Sequence, residues 1–131
     1  MGRTFEGLFR KNDPVEGVYI YPDGRFYLGQ WEFRERNGEG MLKLTDGRFY
    51  EGQFKSGLRT GVGIMTWSDG RRYVGDFVNG QRTGLGRMDY PDGRIYRGSF
   101  QNGERTGKGT MTLANGQCLE GKFINGKYMG P

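Results

Sequence analysis

The sequence predicts an all-β fold: a single-layer antiparallel meander of repeated β-hairpins, drawn out into an elongated, twisted and grooved ribbon. A fixed period, an alternation within it and the turn residues between carry that prediction. Asp-Gly returns at Asp23, Asp46, Asp69 and Asp92, and as Asn-Gly at Asn115, always 23 residues on. Self-similarity at such a period signals stacked supersecondary units that each cover the next. Within one unit Tyr73, Gly75 and Phe77 alternate with Val74 and Asp76, the period of a strand with one buried face. Glycine is abundant at 26 residues, yet its spacing is not every third position, which excludes a collagen helix. No 3.6-residue apolar period is visible, and Ala114 is the only alanine.

Taken in order, the first unit spans 2–22 and is atypical, with Asn12-Asp13-Pro14 where later units place a glycine. Terminal repeats of a stack are usually atypical because they cap it. Unit 23–45 carries Arg34 in place of the loop glycine, so a different loop conformation is expected there. Units 46–68, 69–91 and 92–114 are regular, and unit 115–131 is incomplete, ending without its second strand. Each full unit reads as two strands, Tyr73–Phe77 and Gly84–Tyr90 in the fourth, with Gly84, Gly86, Met88 and Tyr90 on one face. Asp-Gly is the strongest short hairpin signal, so tight turns are expected on that edge and wider Asn-Gly-x-Arg-Thr-Gly loops on the other. The sum is eleven strands, and at a spacing of roughly 4.8 Å a ribbon on the order of 50 Å long.

Mid-strand glycine marks a close approach, here a floor on which a neighbouring ring can lie. Gly29, Gly52, Gly75, Gly98 and Gly121 all sit between two aromatic or apolar positions. The rings form columns: Phe5, Tyr27, Tyr50, Tyr73, Tyr96; then Phe9, Trp31, Phe54, Phe77, Phe100, Phe123; and Tyr21, Leu44, Trp67, Tyr90, Leu113 from the second strands. The opposite face is polar towards the C-terminus, while Val18, Phe26, Leu28, Met41, Phe49 and Ile64 make it apolar near the start. That cluster is either scattered surface apolars or a contact patch.

The pattern Tyr-x-Gly-x-Phe-x-x-Gly-x-x-x-Gly-x-Gly, followed by an apolar run and Asp-Gly, resembles the MORN repeat, in about six copies over essentially the whole chain. The family often has His before the second conserved glycine, where this chain has Thr60, Thr83 and Thr106; this is a loop variation. The resemblance implies protein–protein scaffolding at cytoskeletal, ciliary or membrane-junction structures, often through dimers. It also implies, for some members, links to phospholipids or attachment to lipid kinases or methyltransferases.

Composition bounds the chemistry. The chain has no histidine, which removes the commonest general base and metal ligand. A lone cysteine, Cys118, can build neither an internal disulfide nor a thiolate metal site. Ser56, Ser68 and Ser99 lack a nucleophile-elbow context. Gly-x-Gly pairs such as Gly61–Gly63 lack the third glycine and following helix of a phosphate loop. Turn chemistry accounts for Asp23, Asp46, Asp69 and Asp92, so no metal and no cofactor is expected. A net charge of +5 is a mild basic excess. With no signal peptide or long apolar run, a cytoplasmic protein is expected, associated with cytoskeleton, cilium or membrane.

Two arginine columns stand out. Arg3, Arg25, Arg48, Arg71 and Arg94 follow a turn glycine, most beside an acidic turn residue, and read as a solvated edge. Arg36, Arg59, Arg82 and Arg105 line the loop edge, as a soluble surface or a site for an acidic partner or anionic lipid. The regularity of the aromatics is that of a core, so no nucleic-acid partner is expected. The reading is a non-catalytic interaction module binding a protein segment along an aromatic groove of Tyr27, Trp31, Tyr50, Phe54, Trp67, Tyr73, Phe77, Tyr90, Tyr96 and Phe100. The alternatives are an anionic-phospholipid tether or a regulatory array of a larger enzyme. The last strand, 118–124, would present an open edge with Leu119, Phe123 and Tyr128 beside it, suited to a tail-to-tail homodimer.

Overall fold

The chain folds as one antiparallel sheet in which sequence order is spatial order. The computed structural model describes residues 4–10 and 13–131. The expectations placed on Arg3, on the rings of Phe5 and Phe9 and on the cap loop at Asn12 lie outside the described residues and side chains. The strands are β1 (Thr4–Arg10), β2 (Asp13–Ile20), β3 (Phe26–Glu32), β4 (Glu35–Lys43), β5 (Phe49–Lys55) and β6 (Leu58–Thr66). They continue as β7 (Arg72–Val78), β8 (Gln81–Asp89), β9 (Ile95–Gln101), β10 (Glu104–Thr112), β11 (Cys118–Ile124) and β12 (Lys127–Gly130). The described residues thus hold twelve strands and no helix, against the eleven expected.

The added strand is β12. It pairs with the second half of β11 through Lys122 and Gly130, Phe123 and Tyr128, and Ile124 and Lys127. Lys127–Gly130 is too short to show an alternation, so this strand is not visible in the sequence. The Asn125-Gly126 turn nevertheless folds it back, with φ of 48° and 86° at its two central residues.

That turn corrects the assignment of the two edges. Ser56-Gly57, Asn79-Gly80, Asn102-Gly103 and Asn125-Gly126 all have both residues at positive φ. Lys55 pairs with Leu58, and Val78 with Gln81, directly across them. These are two-residue primed turns, so the tight turns lie on the Asn-Gly edge. The Asp-Gly edge holds the longer loops. Gly70 N–H donates to the Trp67 carbonyl at 3.0 Å, Trp67 N–H donates to the Arg71 carbonyl, also at 3.0 Å, and only Gly70 has positive φ. That is a turn closed by a left-handed glycine, and Asp69 caps it by accepting Arg71 N–H at 3.0 Å. Arg34 does not change its loop: Phe33 and Arg34 take the same primed turn at φ of 50° and 64°.

Each second strand carries a bulge. Gly52 faces Gly63 while Gln53 faces Thr60, so β6 inserts Gly61 and Val62 between them. Gly61, at φ 63°, absorbs the kink. The same offset recurs in β4, β8 and β10. The first glycine of each Gly-x-Gly pair therefore serves a bulge, and the second belongs to a continuous line of glycines crossing the sheet, Gly52 to Gly63 to Gly75 to Gly86 to Gly98.

Candidate partner-binding face

One face of the sheet is covered by its own rings. Tyr27, Tyr50, Tyr73 and Tyr96 are completely buried in a single layer because each ring lies flat over the glycine line. A methyl group at Gly63 would sit 2.5 Å from the Tyr50 ring. Each tyrosine meets two aromatic rings edge-on: Tyr27 meets Trp31 at 5.0 Å and Phe54 at 5.1 Å, Tyr50 meets Phe54 at 5.1 Å and Phe77 at 5.0 Å, and Tyr73 meets Phe77 at 5.3 Å and Phe100 at 5.0 Å. This T-shaped geometry places a ring edge against a ring face, the arrangement the aromatic quadrupole favours. Among the described side chains the ladder runs from Tyr21 and Tyr19 through Trp31 to Tyr128, with Leu42, Met65, Met88 and Met111 in the same core.

The bulge and the tyrosine complete each other. By displacing the partner strand it takes the Gln53 carbonyl out of the ladder, and Tyr50 hydroxyl donates to it at 2.9 Å. Tyr27, Tyr73 and Tyr96 do the same to Gln30, Asp76 and Ser99. Burial pushes the Tyr50 and Tyr73 hydroxyls up to about 12 and raises those of Tyr27 and Tyr96. On the other side of the bulge, Asp76 accepts Leu85 N–H at 3.1 Å.

This burial redraws the expected groove. Tyr27, Trp31, Tyr50, Phe54, Tyr73, Phe77, Tyr96 and Phe100 are core, so they form the floor of the face and offer little contact surface. Trp67 and Tyr90 remain half-buried, in one column with Tyr21, Leu44 and Leu113. Both are held between guanidinium groups. Arg71 and Arg82 lie over the Trp67 ring at 4.7 and 5.0 Å, and Arg94 and Arg105 over Tyr90 at 4.7 and 5.4 Å. Arg25 covers Tyr21 at 4.5 Å. Such cation–π contacts fix ring and charge together.

The two arginine columns therefore meet on this face, but their electrostatics differ. Arg25, Arg48, Arg71 and Arg94 each pair with the turn aspartate two residues earlier, at 2.8–3.0 Å. Their main-chain N–H groups hold Asp23, Asp46, Asp69 and Asp92 below the usual carboxylate range. Arg36, Arg59, Arg82 and Arg105 stand at the second position of β4, β6, β8 and β10, one residue in from the tight-turn edge, and their side chains fold inward over the rings. Arg59 faces Phe54, and Arg82 faces Phe77, across the sheet. Among the described residues no carboxylate lies within ion-pair distance of these four. Burial lowers the Arg59 and Arg82 pKa, helped by the neighbouring charges of Arg48 and Arg71 respectively. Arg36 and Arg105 donate to the turn carbonyls of Gly57 and Gly126 at 2.8 and 2.6 Å, and Arg105 Nη1 is buried with no hydrogen-bond partner.

The same arginines tie one hairpin to the next. The N–H groups of Gly57, Gly80, Gly103 and Gly126 donate to the carbonyls of Arg36, Arg59, Arg82 and Arg105, one repeat earlier, at 2.8–2.9 Å. Thr83 and Thr106 add a side-chain bond each, accepting Asn102 and Asn125 N–H at 3.1 Å.

The MORN repeat profile matches residues 15–24, 27–47, 50–71, 73–93 and 96–118. The chain belongs to the MORN-repeat family. Comparison with curated proteins returned no match. Among solved structures, the array is similar to the wild-type TCP10 domain of Danio rerio CPAP in complex with a peptide of Danio rerio STIL, at 14% identity and a TM-score of 0.35. The match covers 91% of this chain, which spans 64% of that one. At that score the likeness carries no argument.

Elsewhere on the MORN array, β12 is the terminal strand and pairs only with Lys122–Ile124, which leaves the first half of β11 without a partner on that side. Phe123 is buried as the last rung of the ladder, 4.9 Å from Tyr96 and 5.3 Å from Tyr128. Leu119 and Tyr128 are packed against the core. On the opposite face Val18, Leu28 and Met41 are cross-strand neighbours, as are Ile64 and Val74, with Glu51 between the two groups. The apolar cluster read from sequence is thus nearly contiguous. A depression of about 870 Å³ opens near the C-terminal end, lined by Arg97, Lys108, Glu120, Lys122 and the glycines between them.

Proposed function

We propose that this MORN array is a non-catalytic interaction module that binds a segment of a partner protein along its ring face. The single observation that carries the reading is the column of half-open rings held by guanidinium groups, Trp67 and Tyr90 above all. Trp, Tyr and Arg are the residue types that dominate binding hot spots. Here they stand pre-ordered on a rigid floor, so little side-chain freedom is lost when a partner arrives. The membership of the MORN family supports a scaffolding role. A planar lipid surface is less well served, because the four unpaired arginines lie over the rings rather than projecting from the edge.

The test is affinity capture from the source cell with wild-type protein and with Trp67→Ala, melting curves being recorded for both. Loss of Trp67 should weaken capture of the specific partner by on the order of 2 kcal/mol. A folded variant that retains the partner at full affinity would show that the ring face is the wrong surface.

A further inference from the structure

Arg36, Arg59, Arg82 and Arg105 are a row of like charges, half-buried and without a counter-ion among the described residues. Arg59 feels both Arg36 and Arg82, and Glu104 offsets Arg82 only from beyond ion-pair distance. The other described arginine column of the ring face, Arg25, Arg48, Arg71 and Arg94, is neutralised by its own aspartates. The fold therefore concentrates unsatisfied positive charge on the face that also carries the open rings.

The row has a fixed pitch. Successive arginines are two strands apart, roughly 10 Å at the usual strand spacing, and the four together span about 30 Å. An extended strand laid across the sheet advances about 3.4 Å per residue, so three residues match the pitch, but alternation throws every third side chain to the opposite face. An α-helix advances 1.5 Å per residue, so about seven residues match it, and residues seven apart lie on the same face.

We infer that the ring face takes an α-helical partner segment bearing a carboxylate once every seven residues, one per arginine. The inference rests on the ring face being the binding surface. Each carboxylate meets a guanidinium already oriented by its ring and stripped of part of its water. Apolar side chains three or four residues further along the same helix face meet Leu44, Trp67, Tyr90 and Leu113 in turn. The charge row selects the acidic helix, and the column of rings holds it.

The experiment uses the full chain and two synthetic helical peptides of identical composition, each with four glutamates and four leucines on an alanine–glutamine background. In one the glutamates are seven residues apart; in the other they are five apart. Binding is read by anisotropy at low salt, with Arg82→Gln, Arg59→Gln and Trp67→Ala variants whose melting is checked by circular dichroism. Arg87→Gln, on the opposite face, is the control. The seven-spaced peptide should bind at least tenfold tighter than the five-spaced one. Arg59→Gln or Arg82→Gln should each weaken it several-fold and shrink the preference, while Arg87→Gln leaves it unchanged. Equal binding of both peptides, lost in Trp67→Ala, would overturn the helical register and leave the ring face standing. Binding indifferent to Trp67→Ala, or no binding of either peptide, would overturn the proposal, and the former would remove the ring-face reading as well.

Discussion

The smallest unit of order in this chain is a tyrosine lying on a glycine. Tyr50 covers Gly63, closes the bulge by bonding the Gln53 carbonyl, and meets two phenylalanine edges. One residue thus settles backbone geometry, hydrogen bonding and packing together. Gly63→Ala tests it. The added methyl would lie 2.5 Å from the ring, and Phe54 and Phe77 on either side leave the ring little room to retreat. Overpacking of this kind should destabilise by about 1–3 kcal/mol, read as a lower urea midpoint at unchanged slope. A change within a few tenths would mean that the ring does not occupy that place.

At the scale of the element, the hairpin is held at both ends by different chemistry. Asn-Gly adopts positive φ with little strain, which suits the tight turn, and an aspartate caps the longer loop opposite. The last element, β12, is the shortest, and its contribution is to cover Phe123 and half of β11. Truncation after Asn125 removes the Tyr128 ring from Phe123 and frees a row of strand edge. The truncated chain should melt several degrees lower and associate as concentration rises, whereas the full chain shows the smaller tendency. Equal light scattering and equal melting in the two would show that β12 contributes nothing to closing the array.

For the whole molecule, burial is a property of the stack. Each repeat contacts its neighbours alone, so the ladder is a sum of similar rungs and their interfaces. That repetition has a pH signature. Tyr50 and Tyr73 rise from 10.0 to about 12, and Tyr27 and Tyr96 shift the same way, desolvation being the first cause in each. Between those values the unfolded chain releases phenol protons that the folded chain still holds, so stability falls with pH by linkage. Stability should be flat with respect to these groups below pH 10 and decline between pH 10 and 12. Urea midpoints across that range decide it, and a Tyr50→Phe chain should show a shallower decline. An unchanged midpoint up to pH 12 would contradict the burial of the phenols.

The period, the alternation and the ring columns were legible because they are local: a strand's parity is written in residues two apart, and a repeat in its spacing. The position of Arg82 was legible too, since the alternation from Met88 through Gly86 and Gly84 reaches it, had Gln81–Thr83 been read as strand and not as loop. Trp67 and Arg71 likewise flank one turn, so their meeting follows from hairpin register. Which rings stay open could not be read in this way. Tyr73 and Trp67 look alike in sequence, yet Tyr73 is closed off by Phe100, 27 residues on, while Trp67 sits at the rim with arginines above it. The edge that bears the tight turns likewise depends on where the bulges fall, and the charge state of the ring face on which carboxylates reach it. Period and face are set by the chain's neighbours in sequence. Exposure and pairing are set by its neighbours in space, and those belong to the folded stack.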